Sequence, residues 1–161
     1  RRRRLSWTGR RRRLARRGRR GRLRYARVGV AAVWGYRARP YELQWPDGRA
    51  ALSALFIAFA NSRQYGSHGC IAPGASLDDG RLDLVVVADQ SLPRLLSRVP
   101  AFFLGRLTPG AGVAMHAVTE VAVAVDGVGE LHLDGEPRRF DGRLAVRVHP
   151  RALDVIVPAR S

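Results

Sequence analysis

The rhythm of apolar and polar positions changes near residue 40. Before it, "LRYARVGVAAVWGYRARP" places Tyr25, Val28, Ala32 and Gly35 three and four apart, with Leu23, Val30 and Trp34 nearby. That is a helical period, and Pro40 is expected to stop it. Beyond it the period is that of strands. "YELQW" alternates and ends in a turn at Pro46 to Gly48. "ALSALFIAFAN" and "LDLVVVAD" are unbroken apolar runs, as expected for strands buried on both faces. "SLPRLLSRVPAFFLGRL" predicts a short helix near 91–105, opened by Ser91 as N-cap with Pro93 in the first turn. Pro100 is expected to break or kink it. "GVAMHAVTEVAVAVDG" reads as two strands or one bent strand, and "GELHLDGEP" continues with period two. "GRLAVRVHP" and "ALDVIVP" close the chain, each ending at a proline. The pattern predicts a mainly β fold: a two-sheet β-sandwich with an N-terminal helix and the short helix near 91–105.

Composition bounds this picture without changing it. The 161 residues allow one domain with a real core. No apolar run approaches the roughly 20 residues that cross a bilayer, and the first arginines are not followed by an apolar stretch with a secretory cleavage site. A single cysteine, Cys70, excludes an internal disulfide and suits a reducing compartment, so a cytoplasmic location is expected. The chain starts with Arg rather than Met and is expected to be a processed or truncated piece of something longer.

Charge changes the picture more. All 29 basic residues are arginine, and 17 of them fall within residues 1–40, where there is no acid. From Tyr41 onward 12 arginines meet 13 acids, so that part is close to neutral. Residues 1–21 are low in complexity and self-repelling, and are expected to be disordered alone. Residues 22–161 are expected to form the folded domain, incomplete at its N-terminus. Arginine forks bind phosphates, which points to anionic lipid or nucleic acid. Up to Arg27 only Trp7 and Tyr25 interleave with them and no groove-reading element is apparent, so specific nucleic-acid binding is not expected.

Two acid clusters could carry chemistry. "SLDDGRLDLVVVAD" begins an apolar strand with three carboxylates. It reads either as an Asp-Asp-Gly turn, or as a site where a cation offsets the repulsion. "LHLDGEPRRF" sets Asp134 and Glu136 around Gly135. In an extended strand they would share a face and could act as a general base and its partner; otherwise they form an Asp-Gly hairpin turn. His68, His116, His132 and His149 show no zinc-site spacing, and Cys70 reads as a small buried residue. No Walker-type loop is present.

The order of these pieces resembles one family. "FANSRQYGSHGCIAPGASLDDGRLDLVVV", then "LDGEP", then "VRVHPRALDVIVP" is similar to the C-terminal domain of bacterial diacylglycerol kinases and YegS-type lipid kinases, over about residues 22–158. The resemblance implies a two-sheet β-sandwich and a magnesium site at Asp79, helped by main-chain oxygens of Ser76 and Arg81. It also implies Glu136 as the general base that takes the proton from a lipid hydroxyl attacking the γ-phosphate of ATP, with Asp134 shaping the turn or assisting. Mg2+ and ATP are the implied cofactors, ATP being held mainly by an N-terminal nucleotide domain with a Gly-Gly-Asp-Gly-Thr loop. Residues 1–20 have no counterpart of that loop, so the fragment alone is expected to be inactive. Ser67 and His68 interrupt the glycine-rich stretch that the family has after its Tyr-Gly. The implied partners are diacylglycerol or a related lipid and an anionic membrane contacted peripherally from the cytoplasm; a homodimer is left open. The reading from a different class is a non-catalytic module that binds anionic membrane or nucleic acid.

Overall fold

A computed structural model describes residues 37–65, 69–110 and 112–154, all within the compact unit Arg37–Ser161. The expected helix before Pro40, the arginine-rich segment and Ser67–His68 lie outside the described residues.

Strand β1 (Arg39–Trp45) turns at Pro46 and Asp47 and returns as β2 (Gly48–Ala60), with Trp45 paired to Gly48. Two-residue strands β3 (Gln64–Tyr65) and β4 (Gly69–Cys70) form a separate small ribbon. Then follow β5 (Leu82–Ala88), helix α1 (Leu92–Leu104), β6 (Val113–Val118), β7 (Glu120–Leu133) and β8 (Glu136–Arg147). The six long strands make one antiparallel sheet in the order β6-β5-β2-β1-β7-β8. The mainly β expectation and the short helix hold, and the described strands pair as one continuous sheet and a ribbon rather than as two separate sheets.

That sheet is strongly curled. β6 and β7 are four places apart in it, about 19 Å if the sheet were flat, yet Thr119 alone joins them. The register shift in β2 between Ala54 and Phe56 supplies a bend, because a bulged strand kinks and twists more tightly. Inside the curl Leu43, Ala54, Leu84, Val86, Val118, Val121 and Val123 form one buried cluster. On the other face Val85 joins Ile71, Ala72, Ala75, Leu107 and Val113. β5 thus sends alternate residues into two cores, which is why its sequence is apolar without alternation. β2 is mostly half-buried, less enclosed than its apolar run suggests.

Helix α1 turns Leu92, Leu95, Val99 and Phe102 inward, spaced three, four and three. Phe102 packs against the second core cluster. Ser91 occupies the N-cap position without a side-chain cap bond, and Gly105, at φ 67°, ends the helix. Pro100 does not end it. Proline removes the bond to the carbonyl four residues earlier, that of Leu96. Leu96 and Pro100 are both exposed, so water can take the place of that bond. "GVAMHAVTEVAVAVDG" resolves as two strands, and the three described residues of the closing "ALDVIVP" are not in a strand.

Candidate functional site

The acidic turn leads into β5, a strand that sends buried residues into both cores. Ser76 Oγ donates to Asp78 Oδ1 at 2.5 Å, and Asp79 Oδ1 accepts the backbone N–H of Arg81 at 2.9 Å. An aspartate bonding the amide two residues on is the chemistry of an Asx-turn. Gly80 takes φ 69°, a conformation that other residues rarely adopt. Pro150 lies over it, with its Cγ 3.5 Å from where a Cβ on Gly80 would sit. Asp83, one turn of chain later on β5, is half-buried. Its carboxyl is held above the ordinary value of 3.8, first by burial and then by the negative charge of Asp79.

So the turn and the charge cluster coexist. The bond to Arg81 occupies one oxygen of Asp79 and leaves the other to bind a second group. A hard cation would suit this set of oxygens, since it would relieve the repulsion between Asp79 and Asp83. Among the described residues no three or more His, Cys, Asp or Glu side chains converge as a metal cage. A cation here would therefore rely on one carboxylate together with main-chain oxygens, such as those of Ser76 and Arg81.

The second cluster is a hairpin tip. Asp134 and Gly135 both have positive φ, 51° and 92°, and connect the paired residues Leu133 and Glu136. Positive φ at both central positions is the mark of the tight turn that matches strand twist, and Asp-Gly supplies it. Asp134 is thus a turn residue, and it does not share an extended strand face with Glu136. Glu136 starts β8 and accepts a hydrogen bond from Arg138 at 2.8 Å; both side chains are exposed. The two residues are two apart along the strand and so share a face.

The ladder does not bring the two clusters together. Leu82, beside the acidic turn, pairs with Val118, next to the Glu120 end of β7. Asp134 and Glu136 sit at the other end of that 14-residue strand. The sequence marked Asp83 as the third acid of its stretch, but nothing in the sequence sets Pro150 beside Gly80.

A cleft of about 270 Å³ opens on the inside of the curl, between Leu43, Trp45, Leu52, Leu84 and Ala114, with His116 at its wall. Apart from that imidazole, its lining among the described residues carries no ionisable group.

The family described as YegS C-terminal NAD kinase beta sandwich-like domain matches residues 9–157. A "Probable lipid kinase YegS-like" protein of Chromohalobacter salexigens is 28% identical over 137 residues, and a diacylglycerol kinase of Mycobacterium tuberculosis is 29% identical over 140. Each comparison covers 85% of this chain and only 44% of the relative's length. Among solved structures, a Bacillus anthracis protein assigned as a diacylglycerol kinase superposes with a TM-score of 0.60 at 15% identity. That match takes in 80% of this chain and 47% of the other. A second such structure from the same organism gives 0.54 at 14% identity, over 73% of this chain and 41% of the other.

Proposed function

Because the chain belongs to the YegS C-terminal NAD kinase beta sandwich-like domain family, we propose that it is the substrate-side part of an ATP-dependent kinase that phosphorylates a lipid hydroxyl. The observation that carries this reading is the family match over residues 9–157, joined to relatives named as lipid and diacylglycerol kinases that are more than twice as long as the matched region. Diacylglycerol or a lipid like it is the acceptor on this reading, and the ATP is held mainly by the other half of the longer protein. The curled sheet is then the family's two-layer sandwich, with the bulged β2 passing from one layer to the other.

On this reading Glu136 would take the proton as the lipid oxygen attacks phosphorus. Arg138 holds its carboxylate from two residues along the strand. Asp134 and Gly135 set the start of β8, and so the position from which Glu136 projects. Asp79, with main-chain oxygens of Ser76 and Arg81, would hold Mg2+. When bound, that ion supplies positive charge that offsets the carboxylates and fixes the turn in front of β5.

The test is transfer of the γ-phosphate of ATP to diacylglycerol presented in mixed micelles by the longer protein that contains this chain. Phosphorylated lipid is the expected product. Turnover of ATP onto no lipid alcohol would overturn the reading and leave an anion-binding module.

A further inference from the structure

From the outward side of α1 we propose a membrane-docking surface: Leu96, Phe103 and Leu104, flanked by Arg94 and Arg106, seat the chain on an anionic lipid bilayer. This deepens the lipid-kinase reading and rests on it for the location of the substrate, since a lipid acceptor must be reached at a membrane. Among the described residues the helix is packed on one side only. Leu96, Phe103 and Leu104 are 37%, 41% and 67% exposed, and Pro100 lies on the same side. The residues fall at helical spacing, so they form one stripe rather than scattered exposures.

The stripe is tied to the core and to the following loop. Phe102 is anchored in the core cluster beneath α1, and its ring meets that of Phe103 edge-on with centroids 5.2 Å apart. Gly105 then ends the helix within one residue of Leu104. Arg98 donates to the Gly110 carbonyl at 3.0 Å, which ties the helix to the loop after it. Seating these side chains on a bilayer needs little further ordering, which favours binding.

Charge selects the occupant. From Gln90 to Thr119 there is no acidic residue, while Arg94, Arg98 and Arg106 lie in that stretch. Arg94 and Arg106 are exposed, and neither has an ion pair among the described residues. Apolar side chains flanked by unpaired arginines complement a surface with anionic headgroups above acyl chains. The length of α1 and its polar edge place it on the membrane, and no described helix is long and apolar enough to cross one.

The test uses the full chain with Cys70→Ser, carrying an environment-sensitive fluorophore at Phe103→Cys or, as the control, at Leu133→Cys on the hairpin tip. Vesicles of phosphatidylcholine, with or without phosphatidylglycerol, are added without ATP, Mg2+ or diacylglycerol. On anionic vesicles the label at 103 should shift to the blue and be quenched by nitroxide-labelled acyl chains, while the label at 133 stays aqueous. Arg94→Gln and Arg106→Gln should each lower vesicle partitioning about fivefold. Cosedimentation with the label at 103 still aqueous would overturn the proposal and assign binding to the N-terminal arginines. A label at 103 that is apolar before vesicles are added would overturn it in favour of a second copy or another part of the chain, and no binding at all would end it. Loss of kinase turnover leaves every one of these readouts unchanged, so the two readings fail separately.

Discussion

Trp45 on β1 and His116 on β6 meet ring to ring, with centroids 4.8 Å apart, although β5 and β2 lie between their strands in the sheet. Only a sheet that curls over itself can bring them together. Gly48 admits the indole, since a Cβ there would lie 2.8 Å from Trp45 Cζ2. Trp45→Ala should therefore lower the unfolding free energy by about 2–4 kcal/mol, through lost ring contact and an enlarged cleft. Urea unfolding measures it, and a loss under about 0.5 kcal/mol would mean that the curl does not depend on this contact.

Asp83 should make stability depend on pH in one direction. Its carboxyl sits above the ordinary 3.8 in the folded chain, through burial and then through Asp79. The folded state thus holds the proton more tightly than the unfolded state. The stabilisation is fully present below the ordinary value and is lost as pH rises through the folded value. In chelator, melting temperatures taken upward from about pH 3 should show that loss, and Asp83→Asn should remove it and melt higher at neutral pH. An unchanged slope in the variant would assign the titration to another group.

Asp79 separates a turn from a cation site. Asp79→Asn keeps an oxygen to accept the Arg81 N–H but removes the charge, so the turn should survive it. Magnesium binding would stabilise the native chain by mass action, about 2.7 kcal/mol at 100 times the dissociation constant. The native chain should melt higher in magnesium than in chelator, and Asp79→Asn should melt equally in both. A native chain indifferent to magnesium would leave only the Asx-turn.

The strands were legible because their signals are local. Val85 and its neighbours form an apolar run that only a doubly buried strand accommodates, and Asp134-Gly135 is a hairpin by its own backbone preference. Of the two outcomes expected at Pro100, a break or a kink, the break does not occur, because the cost of a missing N–H depends on burial, which the sequence does not show. The curl was hidden for a different reason. Thr119 looks like any strand residue, and its meaning appears only once β6 and β7 are known to be four places apart. Of the candidate site, the sequence held the acids but not their surroundings: Asp79 against Asp83, Gly80 under Pro150, Glu136 against Arg138.

Glu136 carries the most demanding prediction. A lipid hydroxyl is a weak nucleophile at neutral pH, so a carboxylate that accepts its proton in the transition state contributes about 10²–10⁴-fold in rate. Glutamine has nearly the same shape and cannot take that proton. The ion pair with Arg138 is 70% and 59% exposed on its two sides, and such surface pairs contribute little to stability. Glu136→Gln in the longer protein should therefore leave the melting temperature and ATP affinity in place while kcat falls by that factor. Arg138→Gln supplies the control, because it breaks the same pair but keeps the carboxylate, and it should lose far less kcat. If Glu136→Gln folds normally and turns over near the native rate, the proton goes elsewhere. Glu136 would then be only the first residue of a strand that an Asp-Gly turn begins.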